Sequence, residues 1–448
     1  MQVISKLAFG ALLFAGSSYQ SYIHHDQNVM VLPKDDSLIQ NHYGKIITQQ
    51  DLDLYDDTKH KFLDEYFQLN DNEISPTAYT NENVELPPNL QRLVASKVEY
   101  PDPDDVSDIN NGKMDRYHGN ALTGFLTYAH LPAESRCYDP EFYDELEFDI
   151  AVMGATFDTG VSYRPGARFG PEGIRLGTRR LGATFSPYRK NFNVLNNWAK
   201  IIDCGDPPMT PIDNRIAIDQ LYRAERAVLK HKTSDKNPGK VPRILTLGGD
   251  HAITFSCIRA AYEKFGKISV IHFDSHLDTV DPYFMNSNVT EYAAFNHGTF
   301  LNWAYKKGYL IEDGNMHAGL RGWYELADDV DRDDKVGFSR IMARDIDKIG
   351  VEGIITKIKE RIGNNPVYIS VDIDVLDPST APATGTVEPG GWSSRELLSV
   401  LDGLDGLRVV GADVVEVSPP FDSGEVTTQV AGEVARSLLA LMVLTPVV

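Results

Sequence analysis

Residues 268–278 read Ile-Ser-Val-Ile-His-Phe-Asp-Ser-His-Leu-Asp. The first part, 268–273, is a short apolar run without polar alternation. Such a run fits a strand covered on both faces, as in a parallel sheet. The second part changes character at once. Asp274, His276 and Asp278 stand two residues apart, so in an extended segment their side chains share one face. Three ionisable groups on one face beside a buried strand are costly unless a cation pairs with them. A solvated polar loop is the plainer alternative, but two carboxylates flanking a histidine at this spacing favour metal binding.

Working outward, strand-like runs recur at 148–153, 244–247, 367–373 and 409–415. Helical stretches alternate with them at 214–231, 255–265, 353–362 and 395–401. This alternation predicts a three-layer α/β/α domain with a mostly parallel central sheet. Ligand sites in such folds gather at the C-terminal ends of strands.

Further chemistry lies at those ends. Gly248-Gly249-Asp250-His251 follows the run 244–247, where two glycines allow a sharp, close backbone turn. His251 alone is a weak signal, because a histidine in such a turn is more often structural. The run at 367–373 ends within Ser370-Val371-Asp372-Ile373-Asp374-Val375-Leu376-Asp377-Pro378, and Asp372 and Asp374 repeat the spacing of two. Asp377, before a proline, reads as ordering the turn rather than binding metal. Thr384-Gly385-Thr386 continues this loop, and Gly390-Gly391 ends it.

His251, Asp274, His276, Asp278, Asp372 and Asp374 together make an oxygen-rich set without thiolates. That is too acidic for a usual structural zinc site. It can hold two divalent ions if two carboxylates bridge. Manganese suits it, and zinc or cobalt would also bind. A two-metal site lowers the pKa of a shared water so that it attacks at neutral pH. Glu416, at the end of the run 409–415, reads either as a salt-bridge partner or as a clamp on a planar guanidinium.

Bulk properties bound the function. The formal net charge of −21 argues against nucleic acid, which needs clustered Lys and Arg. An acidic field attracts cations, but it equally serves solubility. Three cysteines, Cys137, Cys204 and Cys257, include no CxxC pair and allow at most one disulfide. Lys6, the apolar run 7–15 and the small residues Gly16, Ser17 and Ser18 have the order of a secretory signal peptide, assigned to residues 1–20. The expectation is entry into the secretory pathway, with Asn288-Val289-Thr290 as a compatible glycosylation sequon. No other segment is long and apolar enough to span a membrane. Residues 21–115 carry nineteen acidic against seven basic residues and are read as an acidic extension or propeptide, partly disordered. The catalytic domain is placed at 116–448.

The three motifs, in this order, resemble those of the ureohydrolase family of arginase and agmatinase over residues 116–448. The resemblance implies an arginase-like fold, two manganese ions per chain and a homo-oligomer. By family pattern His251, Asp274, Asp278 and Asp372 would bind one ion. Asp274, His276, Asp372 and Asp374 would bind the other. His297, in Asn296-His297-Gly298-Thr299, matches the family's proton-shuttle histidine. Glu416 matches its guanidinium-binding glutamate, and Thr386 is assigned to substrate binding. The implied reaction releases urea from a small cationic guanidino compound.

Phe157-Asp158-Thr159-Gly160 and the stretch 164–171 look like the agmatinase branch. Arginases hold the substrate's α-carboxylate with an asparagine two residues beyond DxHxD, and Val280 stands there. Agmatine is therefore the expected substrate, with 4-guanidinobutyrate and arginine as alternatives. Ala383 and Val387 depart from the family's usual Gly and Pro, and the loop 280–296 is longer than in typical agmatinases. Three readings compete: a non-catalytic metal-binding relative, a one-zinc deacylase of a related fold, and a structural or adhesive protein.

Overall fold

The computed structural model describes residues 125–282, 294–324 and 326–447. The signal-peptide and extension assignments, the sequon and the first residues of the assigned catalytic domain lie outside these residues.

Among the described residues eight strands form one sheet: β1 (Ile150–Gly154), β2 (Ile201–Asp203), β3 (Arg243–Leu247), β4 (Ser269–Phe273), β5 (Asn315–Leu320), β6 (Phe338–Met342), β7 (Pro366–Asp372) and β8 (Arg408–Val415). Their order is β2-β1-β3-β8-β7-β4-β5-β6, and every pairing is parallel. The longer helices are α1 (Gly170–Gly177), α2 (Asn214–Val228), α3 (Thr254–Phe265), α4 (Phe300–Lys306), α5 (Asp329–Val336), α6 (Ile346–Ile362), α7 (Ser394–Gly403) and α8 (Val426–Leu444).

The pleat sorts side chains into two apolar layers. Ile150 and Val152 of β1, Ile271 and Phe273 of β4, and Ile369 and Val371 of β7 pack with α1, α6, α7 and α8. Ala151 and Met153, Val270 and Tyr368 face the other way, against α2, α3, α4 and α5. Helices thus cover both faces, as the non-alternating runs require. No helix among the described residues is long and apolar enough to cross a membrane.

Local signals fix the helix starts. Asp213 caps α2 by accepting from the N–H groups of Arg215 and Ile216. Ser393 and Glu396 form a capping box on α7. The C-terminal end of α8 is pinned by the buried Arg243, whose guanidinium donates to the carbonyls of Val409, Met442 and Thr445. Cys137 and Cys204 form a disulfide, and Cys257 is free and buried.

Candidate metal centre

The four strands preceding the motifs are adjacent in the order β3-β8-β7-β4. Their C-terminal ends bring His251, Glu416, Asp372 with Asp374, and Asp274 with its neighbours to one place. The turn after β3 needs its glycines. A Cβ on Gly249 would strike the carbonyl oxygen of Phe157, and one on Gly248 would strike Val415.

Two overlapping groups of ligand atoms lie within 4.8 Å of one another: His251, His272, Asp274 and Asp278, and then Asp274, His276 and Asp374. Asp274 belongs to both. His251 Nδ1 stands 3.0 Å from Asp274 Oδ2, 3.2 Å from Asp278 Oδ2 and 3.3 Å from Asp372 Oδ2. His276 Nδ1 is 3.3 Å from Asp274 Oδ1 and 3.1 Å from Asp374 Oδ2. Asp372 spends its other oxygen on the N–H of Asp374, at 2.8 Å.

The tautomer of His251 follows from its surroundings. Asp413 accepts hydrogen bonds from Thr254 Oγ1, Tyr368 OH and Ser370 Oγ at 2.7, 3.0 and 2.6 Å. Ser370 Oγ, having donated to Asp413, accepts from His251 Nε2 at 2.8 Å. The ring's other nitrogen, Nδ1, then turns a lone pair toward the carboxylates, as a metal ligand must.

The donor set fits divalent cations. His251 Nδ1 and Asp274 Oδ2 are buried and make no hydrogen bond, an arrangement expensive without a cation. Burial, and then the charges of Asp374 and Asp274, push the Asp372 carboxyl well above the usual carboxylate range. Imidazole and carboxylate donors together suit manganese or zinc.

Beside this cluster stands Glu416, fully buried at a left-handed φ of 59°. Such strain in a non-glycine residue concentrates at functional sites. Asp278, at φ 53°, shares it. Glu416 Oε1 accepts from the N–H of His251 at 2.9 Å and lies 3.2 Å from His297 Nδ1. Its Oε2 is buried and unpartnered, beside Gly385. Burial draws the His297 imidazole down, but the hydrogen bond and charge of Glu416 outweigh it and raise the group to about 9.

Ser162 completes the surroundings of His297. Its N–H lies 3.1 Å and its Oγ 2.9 Å from Nε2. The N–H can only donate, to a bare Nε2, while the hydroxyl can accept from a protonated one. Either protonation state of the ring therefore has a partner. The loop carrying Ser162 is tied down by Asp158, which accepts from the N–H groups of Gly166 and Arg168, and by Asp250, which accepts from Gly160 N–H at 2.7 Å.

A cavity of about 230 Å³ opens over the cluster, lined among others by His276, Asp278, Val280, His297, Trp323, Tyr324, Asp329 and Thr386. Thr386 Oγ1 points at Asp374 Oδ2, 3.4 Å away. Asp377 accepts from the N–H groups of Ser379, Gly390 and Gly391, so it orders the loop.

The sequence reading assigned no role to Ser162, His272, Asp413 or Arg321. Arg321 donates to the carbonyls of Gly319, Asp374, Val375, Leu376 and Glu388 and so staples the loop that carries Asp374. A polar residue inside an otherwise apolar strand run was the signal available for His272 and Asp413.

Comparison with known proteins gives a consistent result. The pattern described as the arginase family matches residues 148–441. A Schizosaccharomyces pombe protein, named as a presumed agmatinase 1, is 45% identical over 338 residues, which are 73% of this chain and 84% of that one. An agmatinase of Neisseria meningitidis serogroup C is 37% identical over 297 residues, covering 66% of this chain and 88% of its own. Among solved structures, proclavaminate amidinohydrolase from Streptomyces clavuligerus superposes with a TM-score of 0.63 at 32% identity, over 72% of this chain and 98% of that one.

Proposed function

The chain belongs to the arginase family, and from that premise we propose that it is a ureohydrolase which holds two manganese ions and releases urea from agmatine. The observation that carries this reading is Glu416 Oε2, a buried acceptor without a partner beside the metal cluster. It suits a guanidinium, whose planar N–H groups match a carboxylate.

His251, Asp274, Asp278 and Asp372 would hold one ion, and Asp274, His276, Asp372 and Asp374 the other. When bound, the pair lowers the pKa of a water so that it attacks near neutral pH. The chain's own residues supply the rest. Glu416 fixes the guanidinium group and, through the His251 N–H, is itself fixed. Water adds at the guanidinium carbon, the C–N bond to the alkyl chain breaks, and the amine must leave with a proton. His297, held protonated by Glu416, donates it, and Ser162 keeps the ring in place before and after.

Substrate choice rests on the cavity wall. No Lys or Arg lines it among the described residues, while Val280, Trp323, Tyr324 and Asp329 do. An α-carboxylate finds no cationic partner there, and a primary ammonium finds aromatic faces and a carboxylate. This ranks agmatine above arginine and 4-guanidinobutyrate. We also place the chain in the secretory pathway. The N-terminal pattern supports this, and so does the Cys137–Cys204 disulfide, because disulfides persist in oxidising compartments. The test is urea release by the manganese-loaded protein from the three substrates side by side. Agmatine should turn over with the highest kcat/KM. Equal or faster use of arginine overturns the substrate assignment, and no urea from any of them overturns the activity.

A further inference from the structure

Helices α2, α3, α4 and α5 cover a sheet face that is not wholly apolar. A polar seam crosses it, and one part is the Ser370–Asp413 support of His251 described above. A second part runs the opposite way, from Asp274 toward β5. Resting on the metal reading above, we propose that His272, His317 and Asp333 form a positioning chain that orients Asp274 and thereby sets the affinity of the ion bound by His251, Asp274, Asp278 and Asp372.

The contacts are continuous. His272 on β4 and His317 on β5 are directly paired in the ladder. Their Nδ1 atoms lie 2.9 Å apart. His317 Nε2 is 3.0 Å from Asp333 Oδ1 on α5. At the other end His272 Nε2 stands 3.1 Å from Asp274 Oδ2, and both of these buried atoms are without a hydrogen bond. All three residues of the chain are fully buried.

Proton counting gives the chain its direction. Asp333 accepts from Thr279 Oγ1 at 2.8 Å and from Arg340 at 2.5 Å, so it is a saturated carboxylate. His317 Nε2 must therefore carry a proton toward it. One proton lies between the two Nδ1 atoms. Either ring can carry it, so the two side chains are joined in both cases. The chain therefore ends against Asp274 Oδ2 and limits the directions that this carboxylate can take, as outer partners of metal ligands commonly do.

Stacking also fixes the rings. His272 lies over His251 with centroids 4.7 Å apart, and His317 lies over Phe338 at 4.1 Å. The first contact couples the chain to a second ligand of the same ion.

The experiment compares the full-length wild type with His317→Phe, His317→Asn and Asp333→Asn. It measures manganese binding by titration calorimetry and thermal melting of the metal-free protein. Phenylalanine keeps the shape and the stack on Phe338 but removes both polar contacts. Asparagine returns a polar atom near the position of Nδ1. The expected result is that His317→Phe weakens one of the two ions by about 10- to 100-fold, the usual scale for outer partners of a metal ligand. The metal-free melting curve should change little, and His317→Asn should recover part of the affinity. Asp333→Asn, farther from the ion, should weaken the same ion and decides the matter should His317→Phe fail to fold. Variants that bind both ions as the wild type does overturn this proposal alone. Equal losses in the phenylalanine and asparagine variants do so too, since packing then explains them. A wild type that binds no manganese overturns the proposal together with the functional reading.

Discussion

Glu416 Oε1 accepts the backbone N–H of His251 at 2.9 Å, a bond between residues 165 positions apart. It joins the end of β8 to the turn after β3 and leaves Oε2 free, so guanidinium clamp and metal ligand share one frame. Glu416→Gln keeps the shape and loses the charge. Truncating one partner of a buried charged pair costs roughly 2–5 kcal/mol, so kcat/KM for agmatine should fall by about 10²- to 10³-fold. Steady-state urea assays check this, with manganese content unchanged. A variant that retains more than a tenth of wild-type kcat/KM contradicts the clamp.

His297 donates a proton in this account, so it must be protonated to act. Its value of about 9 places the alkaline loss of kcat near that pH: activity holds below it and falls as pH rises through it. Because Glu416 raises the group, the residual activity of Glu416→Gln should lose its alkaline limb at lower pH. His297→Asn should cost about 10²- to 10⁴-fold in kcat, the range for a general acid. pH–rate profiles of the three proteins are the measurement, and an alkaline limb that does not move in Glu416→Gln removes the coupling.

Glu225 on α2 is buried, and burial raises its carboxyl to about 7 despite hydrogen bonds from Thr246 and Cys257. The unfolded chain ionises this group near 4.5, so between those values the native state holds a proton that the unfolded state has released. The stability cost is absent below about pH 4.5, grows as pH rises and is complete above about 7. Glu225→Gln should therefore leave stability unchanged at pH 4 and raise it by up to about 3 kcal/mol at pH 8. Denaturant titrations at the two pH values decide it. A gain at pH 4 equal to that at pH 8 speaks against a buried, protonated carboxyl.

Arg321 holds five backbone carbonyls around the Asp374 loop. Arg321→Met leaves these acceptors without their donor. At about 1 kcal/mol or more for each buried acceptor, the loss should exceed about 3 kcal/mol in unfolding free energy and loosen the ion held by His276 and Asp374. Urea unfolding and manganese titration of the same sample test both parts. Intact stability means that the loop holds itself.

Much of the fold could be read from the chain because five central strands are predominantly apolar runs. The three unread strands have physical reasons. β2 is only three residues long, β5 contains His317 and Gly319, and β6 is a sheet edge with three of its five residues at least partly exposed. Helix α8 is apolar on nearly every side, which erases the contrast that marks an amphipathic helix. Helix α6 begins at Ile346 rather than at 353, because Gly350 at φ 68° breaks the helical period near its start. At the site, ligands within one motif were legible because their spacing is local. The pairing of His272 with His317, 45 residues on, arises only when β4 and β5 align, and no spacing encodes it. Ser162 meets His297 across 135 residues for the same reason.

The most direct test of the account is the number of metal ions per folded chain. Purified protein saturated with manganese and dialysed should hold two ions per chain by elemental analysis, with anomalous scattering placing both against Asp274. Asp274→Asn should hold fewer and release no urea. Full saturation at one ion or none, or an Asp274→Asn protein that keeps both ions and still turns over agmatine, contradicts it.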